Sequence, residues 1–538
     1  MRITTTNGRK TWTKGLCVAM AVSGSIQGLY AAENPDVDDP LVDLFVKKGF
    51  VTQDEAEKVK AEAALMRINE MQMPPLPQSK WDISAGIKSV QLFGDVRMRY
   101  ENRGADDPGN GEIDLQRWRY AVRLGLRGEV LDDFYYGLRL ETGSNPRSSF
   151  VTMGTAAATS SSSPTYQGPF GKSTAGINLG QAYIGWHPWN WLDVTAGKMP
   201  NPLSVTPLVW NSNINPEGAA EHLKYTVGEA DFFANLGQFI YQDTNPNQAS
   251  FGYFTGSTSD VYTGGKPDTL LLAFQGGMNY RVTPRFSLKA SPVFYIYSGL
   301  GANTSPGTPG FSDAYVGQGA NASLKGFDQY PGGYYGGFNA NQTGINNLEV
   351  LEIPFEVNFK VARLDARLFG DLAYNLDGAA RAQAAYNVAL AESLPTFTLP
   401  NGSIPNYPTT PISSPQTHDV KAYQIGFDIG SRDSLGLVNG SVSKKNAWEL
   451  KTYWQHIEQY SLDPNLLDTD FFEGVENLQG IYVAAAYGFS DNIIGTFRYG
   501  HASRINNRLG TGGSGQDIPQ MNPINNFDLY QVDLTFKF

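Results

Sequence analysis

Cysteine is almost absent from this chain: one in 538 residues, Cys17. It sits in a short apolar run near the start, so the remainder has no disulfide framework and no thiol chemistry. Long hydrophobic runs are missing too. Beyond residue 31 no stretch approaches ~18 consecutive apolar residues, which excludes a helical membrane span there. Positive charge is in deficit, with 41 basic against 52 acidic residues and a net charge of −11, and this argues against nucleic acid as a partner. The five histidines (His187, His222, His418, His456 and His501) show no i,i+3 or i,i+4 clustering. No HExxH, no G-x-S-x-G with plausible partners and no phosphate loop occurs. The reading is therefore a non-enzyme with no metal and no cofactor. A barrel-embedded hydrolase is the remote alternative, because barrel scaffolds do carry hydrolases and spacing alone does not reveal a Ser–His pair.

What is present begins with a leader. Arg2, Arg9, Lys10 and Lys14 precede the apolar run GLCVAMAVSGSIQGLYA, with cleavage expected after Ala31 or Ala32. Residues 1–31 read as a secretory signal peptide. Its four basic residues would leave the remainder near −15. Residues 32–80 read as a helical segment and linker. Thr52 opens TQDE, a capping box with Glu55 three residues on. The helix expected over 53–72 carries Ala56, Val59, Ala63 and Met66 at a,d spacing, a short coiled-coil seam or a solvated helix with an apolar stripe. PPLPQ at 74–78 then breaks the chain.

From Trp81 to Phe538 the pattern changes to period two. In the final segment Tyr530, Val532, Leu534, Phe536 and Phe538 share one face; Gln531, Asp533, Thr535 and Lys537 share the other. Sixteen strands are expected, near 88–101, 115–130, 134–143, 177–187, 190–199, 220–228, 231–241, 268–282, 285–297, 347–360, 363–375, 419–430, 445–458, 478–488, 492–503 and 526–538. Those at 220–228 and 231–241 alternate poorly, and Pro354 calls for a bulge in the tenth. Short connections (131–134, 187–190, 283–285, 490–492) alternate with long ones rich in Ser, Thr, Asn, Gly and Pro (144–176, 242–267, 298–346, 376–418, 504–525). A soluble sandwich has no reason to segregate loop length in this way; a transmembrane barrel does. The fold class is all-β: a transmembrane antiparallel β-barrel of about 16 strands after a short N-terminal helical segment. Its apolar face would meet lipid and its charged face would meet water, with aromatic girdles at both interfaces.

Several segments resemble one family. LFGDVRMRYE at 92–101, GKMPNPL at 197–203, VWNSNINPEG at 209–218 and the ending FDLYQVDLTFKF are similar to the bacterial putative-porin family of 16-stranded outer-membrane channels. The resemblance covers roughly residues 40–538. It implies a passive diffusion pore in outer-membrane lipid, a homotrimer, small hydrophilic solutes as cargo, and Phe538 as the signal read by the barrel-assembly machinery. Asn211 stands where the resemblance leads one to expect an acidic residue.

Function in such a chain would lie in the charges of the bore. The Arg-rich face of the first three strands offers Arg97, Arg99, Arg117, Arg119, Arg123, Arg127 and Arg139, beside Glu141. Arginine stays charged at any working pH, and a narrow bore with low-dielectric walls focuses its field. The blander reading pairs these arginines with Asp95, Glu101, Glu129 and Glu141. On later strands Glu352, Glu356, Asp365, Arg367 and Asp371 fall on the wet face. The segment Met199–Glu221 resembles by position the inward-folded third loop of general porins, and could set Glu217 opposite the arginines. A substrate-specific channel for phosphate, other anions or sugar is the second reading, with Tyr334 and Tyr335 as an aromatic platform.

Overall fold

The computed structural model describes residues 48, 86–106, 111–131, 133–154, 176–242, 269–298, 348–383, 414–511 and 524–538. The expected leader, the helix over 53–72, the linker and the Tyr334–Tyr335 platform lie outside the described residues. Ser84–Phe538 is one compact unit, and among the described residues it holds nineteen strand segments in a single sheet. They are β1 (Gln91–Asp106), β2 (Glu112–Val130), β3 (Phe134–Thr142), β4 (Val151–Thr152), β5 (Ile177–Trp189), β6 (Leu192–Lys198), β7 (Glu217–Val227), β8 (Ala230–Gln242), β9 (Thr269–Thr283) and β10 (Phe286–Ala290). There follow β11 (Val293–Ser298), β12 (Glu349–Glu352), β13 (Phe355–Val361), β14 (Leu364–Asn375), β15 (Lys421–Ser431), β16 (Trp448–Ile457), β17 (Leu478–Gly488), β18 (Ile493–Arg504) and β19 (Asn526–Lys537).

These segments make sixteen staves. β10 and β11 form one stave broken at Ser291–Pro292, and β12 and β13 form another broken at Ile353–Pro354. The bulge expected at Pro354 is this break. A proline has no N–H to give the ladder, and here its carbonyl instead accepts Ser291 N–H at 3.0 Å. β4 is a two-residue piece on β2. Every pairing is antiparallel. β1 pairs β19 from Asp95↔Lys537 to Asp106↔Asn526, and Phe538 and Gly94 exchange N–H···O bonds of 3.0 and 3.1 Å. The cylinder is therefore closed, as it must be where lipid offers no partner to an open edge.

Side-chain parity follows the expected orientation. Leu124 is 43 % exposed and Val532 is 53 %, both on the outer surface, while Gln531 and Asp533 on the opposite parity are buried. Trp189, Trp191, Tyr225, Phe489 and Phe538 are exposed near one end of the staves; Trp118, Tyr374, Tyr423 and Tyr530 are exposed near the other. The Trp189 and Trp191 rings stack at 5.1 Å.

Connection length separates the two ends with two exceptions, the first being the five-residue connection 107–111 between β1 and β2, which lies at the end of the long connections. The turns 131–133, 190–191, 228–229, 284–285, 362–363 and 489–492 lie at one end, where Leu131 and Ala362 take the positive φ of tight turns. The same end also carries the long connection 432–447 between β15 and β16. It tucks Leu437 and Val438 out of solvent. Glu449 holds it by accepting N–H bonds from Gly436 and Val438 at 3.0 and 2.7 Å.

Candidate pore and its inward-folded segments

The arginine face of β1 and β2 lies inside the barrel, and acids partner most of it. Arg99 is 3 % exposed. It makes a bidentate pair with Asp533 at 2.7 and 2.8 Å, and its remaining nitrogen reaches Asp470 at 2.8 Å. Glu101 is fully buried, pairs Arg117, and accepts from Arg119 at 3.3 Å. Arg97 and Arg123 share Asp95, at 2.8 and 2.7 Å. Arg139 pairs Glu141 at 3.2 Å, and Arg127 donates to Gln91 at 2.8 Å. Two more arginines join this network. Arg103 meets Glu473, and Arg498 meets Asp533. Of the acids expected to balance the arginines, Asp95, Glu101 and Glu141 take that place in the described ion pairs.

Among the described residues, two long segments fold into the bore from the long-connection end. The first, 199–216, links β6 to β7. Gly197 and Gly218 face each other at its two ends with φ of +117° and +147°, a backbone that side chains rarely adopt. A Cβ on Gly218 would clash with the Gln238 carbonyl oxygen. The segment then lays Leu203, Leu208, Val209 and Trp210 against a lumen wall that is apolar just there, at Phe239, Leu271, Val293, Tyr295 and Val350. Trp210 lies 6.1 Å from Phe239 and 6.2 Å from Tyr295. Polar pegs finish the seat. Thr206 donates to Asp371, Tyr295 donates to Glu352 at 2.6 Å, and Gln275 accepts Ser204 N–H at 2.9 Å.

The second segment, 458–477, links β16 to β17 and packs Phe471 against Tyr453 and Tyr482. The two segments meet at Asn211. Its N–H donates to Leu466 O at 2.6 Å and its amide donates to Asp468 at 3.1 Å. Arg147, from the connection after β3, donates to Pro464 O at 2.8 Å, and Phe150 of the same connection lies 4.1 Å beneath Arg99. Opposite charges thus gather where the second segment meets the arginine wall. Burial pushes the Asp470 carboxyl up, but Arg99, Arg103 and Arg498 outweigh it and hold it well below the usual carboxylate range. Asp468 lacks that compensation. Burial, and then the Asp470 charge, push it up to about 6.

The structure sorts the expected lumen residues. Glu352, Asp371, Glu356 and Arg367 all face inward. Arg367 reaches Asp428 at 2.6 Å and Glu356 at 3.7 Å. Asp365 accepts the Asp433 N–H at 2.7 Å near the short-turn end. Glu217 does not stand opposite the arginines. It opens β7 beside Lys198, 2.7 Å away, on the parity opposite Gly218. The register explains this: Gly218 pairs with Phe239, whose ring is buried against Trp210 inside the bore, so Glu217 points outward. Asn211, expected as a departure in the pore, is the peg between the two inward segments. Sequence reading had no signal for 458–477 as an inward segment. Its aromatic residues (Phe471, Phe472) are mixed with acids (Asp468, Asp470, Glu473), which hides an apolar signal.

A closed sixteen-stranded barrel with a charged interior, into which segments of the chain fold, defines a channel of the porin class. A family model described as Putative porin matches residues 105–538, and the chain belongs to that family. No functionally curated protein matches it. Solved structures resemble it loosely. A mutant of the Rh. blastica porin shares 11 % identity over 84 % of this chain and 100 % of that one, at a TM-score of 0.35. OmpF of Salmonella typhi in complex with daunomycin shares 8 % over 84 % and 98 %, at 0.38. OprB of Pseudomonas putida at high pH shares 10 % over 84 % and 94 %, at 0.41. At those scores the likenesses carry no weight beside the family match.

Proposed function

We propose that the chain forms a water-filled channel in the bacterial outer membrane for passive diffusion of small hydrophilic solutes and ions, and that it carries out no bond chemistry. The observation that supports this most is the inward face itself. Charged and amide side chains line a closed cylinder whose outer parity is apolar. The segments 199–216 and 458–477, with the arginine wall behind them, form the constriction. The inward-facing set is Arg97, Arg99, Arg117, Arg119, Arg123, Arg127 and Arg139 on one side and Glu352, Glu356, Arg367 and Asp371 on the other, with Arg99, Arg119, Glu352 and Asp371 buried in the wall. In this reading the short-turn end faces the periplasm, Phe538 is the contact for the assembly machinery, residues 1–31 are removed on export, and three copies assemble.

Purified protein in a planar bilayer tests it. Ohmic conductance steps, grouped in threes for a trimer, support the reading. A folded, inserted barrel that conducts no ions contradicts it. Block of those currents by a low concentration of phosphate or a sugar would move the reading to a substrate-specific channel.

A further inference from the structure

On the wall formed by β1, β2, β3 and β5, aromatic rings lie on glycines of the next strand. Phe93 of β1 covers Gly125 of β2, Tyr183 of β5 covers Gly137 of β3, and Tyr135 of β3 covers Gly185 of β5; a Cβ on any of these glycines would collide with the ring. Glycine in a strand interior marks such a close approach. The rings are on the bore side. Phe93 has the parity of Asp95, Tyr135 that of Arg139, and Tyr183 that of Gln181, whose amide donates to Asn215 of the first inward segment at 2.8 Å. From that contact the strip runs to the short-turn mouth, where the His187 ring stacks on Tyr135 at 6.0 Å. Each ring is half-buried, held by the wall on one side and open to the bore on the other.

Packing alone accounts for rings over glycines. It does not account for the polar groups set among them. Asp193 of β6 accepts the Tyr135 hydroxyl at 2.5 Å and the Thr195 hydroxyl at 3.4 Å, both through Oδ1. Its Oδ2 and the two ring nitrogens of His187 have no hydrogen-bond partner among the described residues. Arg127 uses only Nε, on Gln91 at 2.8 Å, and its guanidinium lies 5.0 Å from the centre of the Phe93 ring. Arg127 stands opposite Gly137 in the β2–β3 ladder, so rings and polar groups form one strip from β1 to β6. Four strand spacings of ~4.8 Å make it ~19 Å long, room for several sugar rings in a row.

We infer that this strip binds a neutral oligosaccharide. The C–H face of a sugar ring is apolar and packs on an aromatic face, while its hydroxyls both donate and accept. Asp193 supplies an acceptor, Arg127 a donor and the His187 ring one of each. Aromatic walls with a few placed polar groups are the make-up of a small-ligand site. An anionic solute would gain Arg127 but meet the Asp193 carboxylate; a purely apolar one would desolvate both charges without replacing their water. The inference builds on the substrate-specific form of the proposed channel, and it needs only that the lumen admit the solute.

Calorimetric titration of the folded barrel in detergent with cellotriose, a neutral chain of flat sugar rings, tests it. Wild type should bind. Tyr183→Ala and Tyr135→Ala should each weaken binding about tenfold, in barrels that keep heat-dependent gel mobility, while Tyr183→Phe retains the ring and the affinity. Arg127→Met changes an exposed side chain, leaves every ring in place, and should also weaken binding several-fold; it serves if the alanine variants fail to fold. No cellotriose binding by folded wild type, affinity unchanged in the Tyr183→Ala and Arg127→Met barrels, or tighter binding of benzoate than of cellotriose would each overturn the site. Binding by a barrel that conducts no ions would count against the channel and leave the site standing.

Discussion

Arg99 shows what a buried charge costs when its setting is incomplete. Two carboxylates and a phenylalanine ring hold it, and truncation would strand Asp533 and Asp470 in a closed wall. Arg99→Ala should therefore cost about 3–5 kcal/mol, read as a fall in the urea midpoint of the barrel. Arg117 and Arg119 carry the proposed selectivity instead. Both contact Glu101, so changing the two together to Ser leaves an excess of acid in the wall, and the reversal potential in a salt gradient should move toward cations. An unchanged reversal potential would remove these residues from the permeation path. Asp468 gives a pH signature. Its carboxyl, raised to about 6, is mostly ionised above that value and mostly neutral below it. Acidification through that range should shift permeability toward anions, and Asp468→Asn should abolish the shift. The stability sign follows the same direction: the ionised form is the disfavoured one, so its stabilising neutral form is complete below the ordinary aspartate range and is lost as pH rises through about 6. Sequence alone placed the arginines on one face correctly. It could not show which acids answer them, because Asp470, Glu473 and Asp533 arrive from a segment and a strand hundreds of residues away.

Strands 220–228 and 231–241 alternated poorly for a physical reason that the structure supplies. Their inner face is apolar under Trp210, at Phe239 and Ala220, while their outer face carries Glu221 and Gln238. The usual contrast between the faces is reversed locally, and a rule that scores greasy-out against polar-in loses its signal. The inward fold of 199–216 was readable from its own apolar content, which needs a surface to cover. That of 458–477 was not, because its aromatic anchors sit among acids. Trp210→Ala should cost about 3–5 kcal/mol if the seat holds as a packed core. It should also appear in bilayers as larger, noisier conductance, since the segment it anchors would leave the bore. A conductance identical to wild type would mean that the segment does not narrow the path. Gly218→Ala adds a clash with the Gln238 carbonyl at a positive φ, and should slow or reduce assembly without changing the conductance of the barrels that form.

At the scale of the whole molecule, the sixteen staves, their order and their orientation were all legible in the sequence. Period-two alternation is a local property, and closure follows from it once lipid is the outer solvent. The long connection 432–447 at the short-turn end escaped, since nothing in its composition distinguishes a tucked cap from a free turn. The central claim is that water fills the cylinder and lipid surrounds it, and β2 tests it most directly. Single cysteines at Arg123, Leu124, Leu126 and Arg127, in membranes and in a Cys17→Ser background, can be probed with a small membrane-impermeant maleimide. The account predicts rapid modification at 123 and 127 and protection at 124 and 126; the opposite pattern, with 124 and 126 reactive and 123 and 127 shielded, would contradict it.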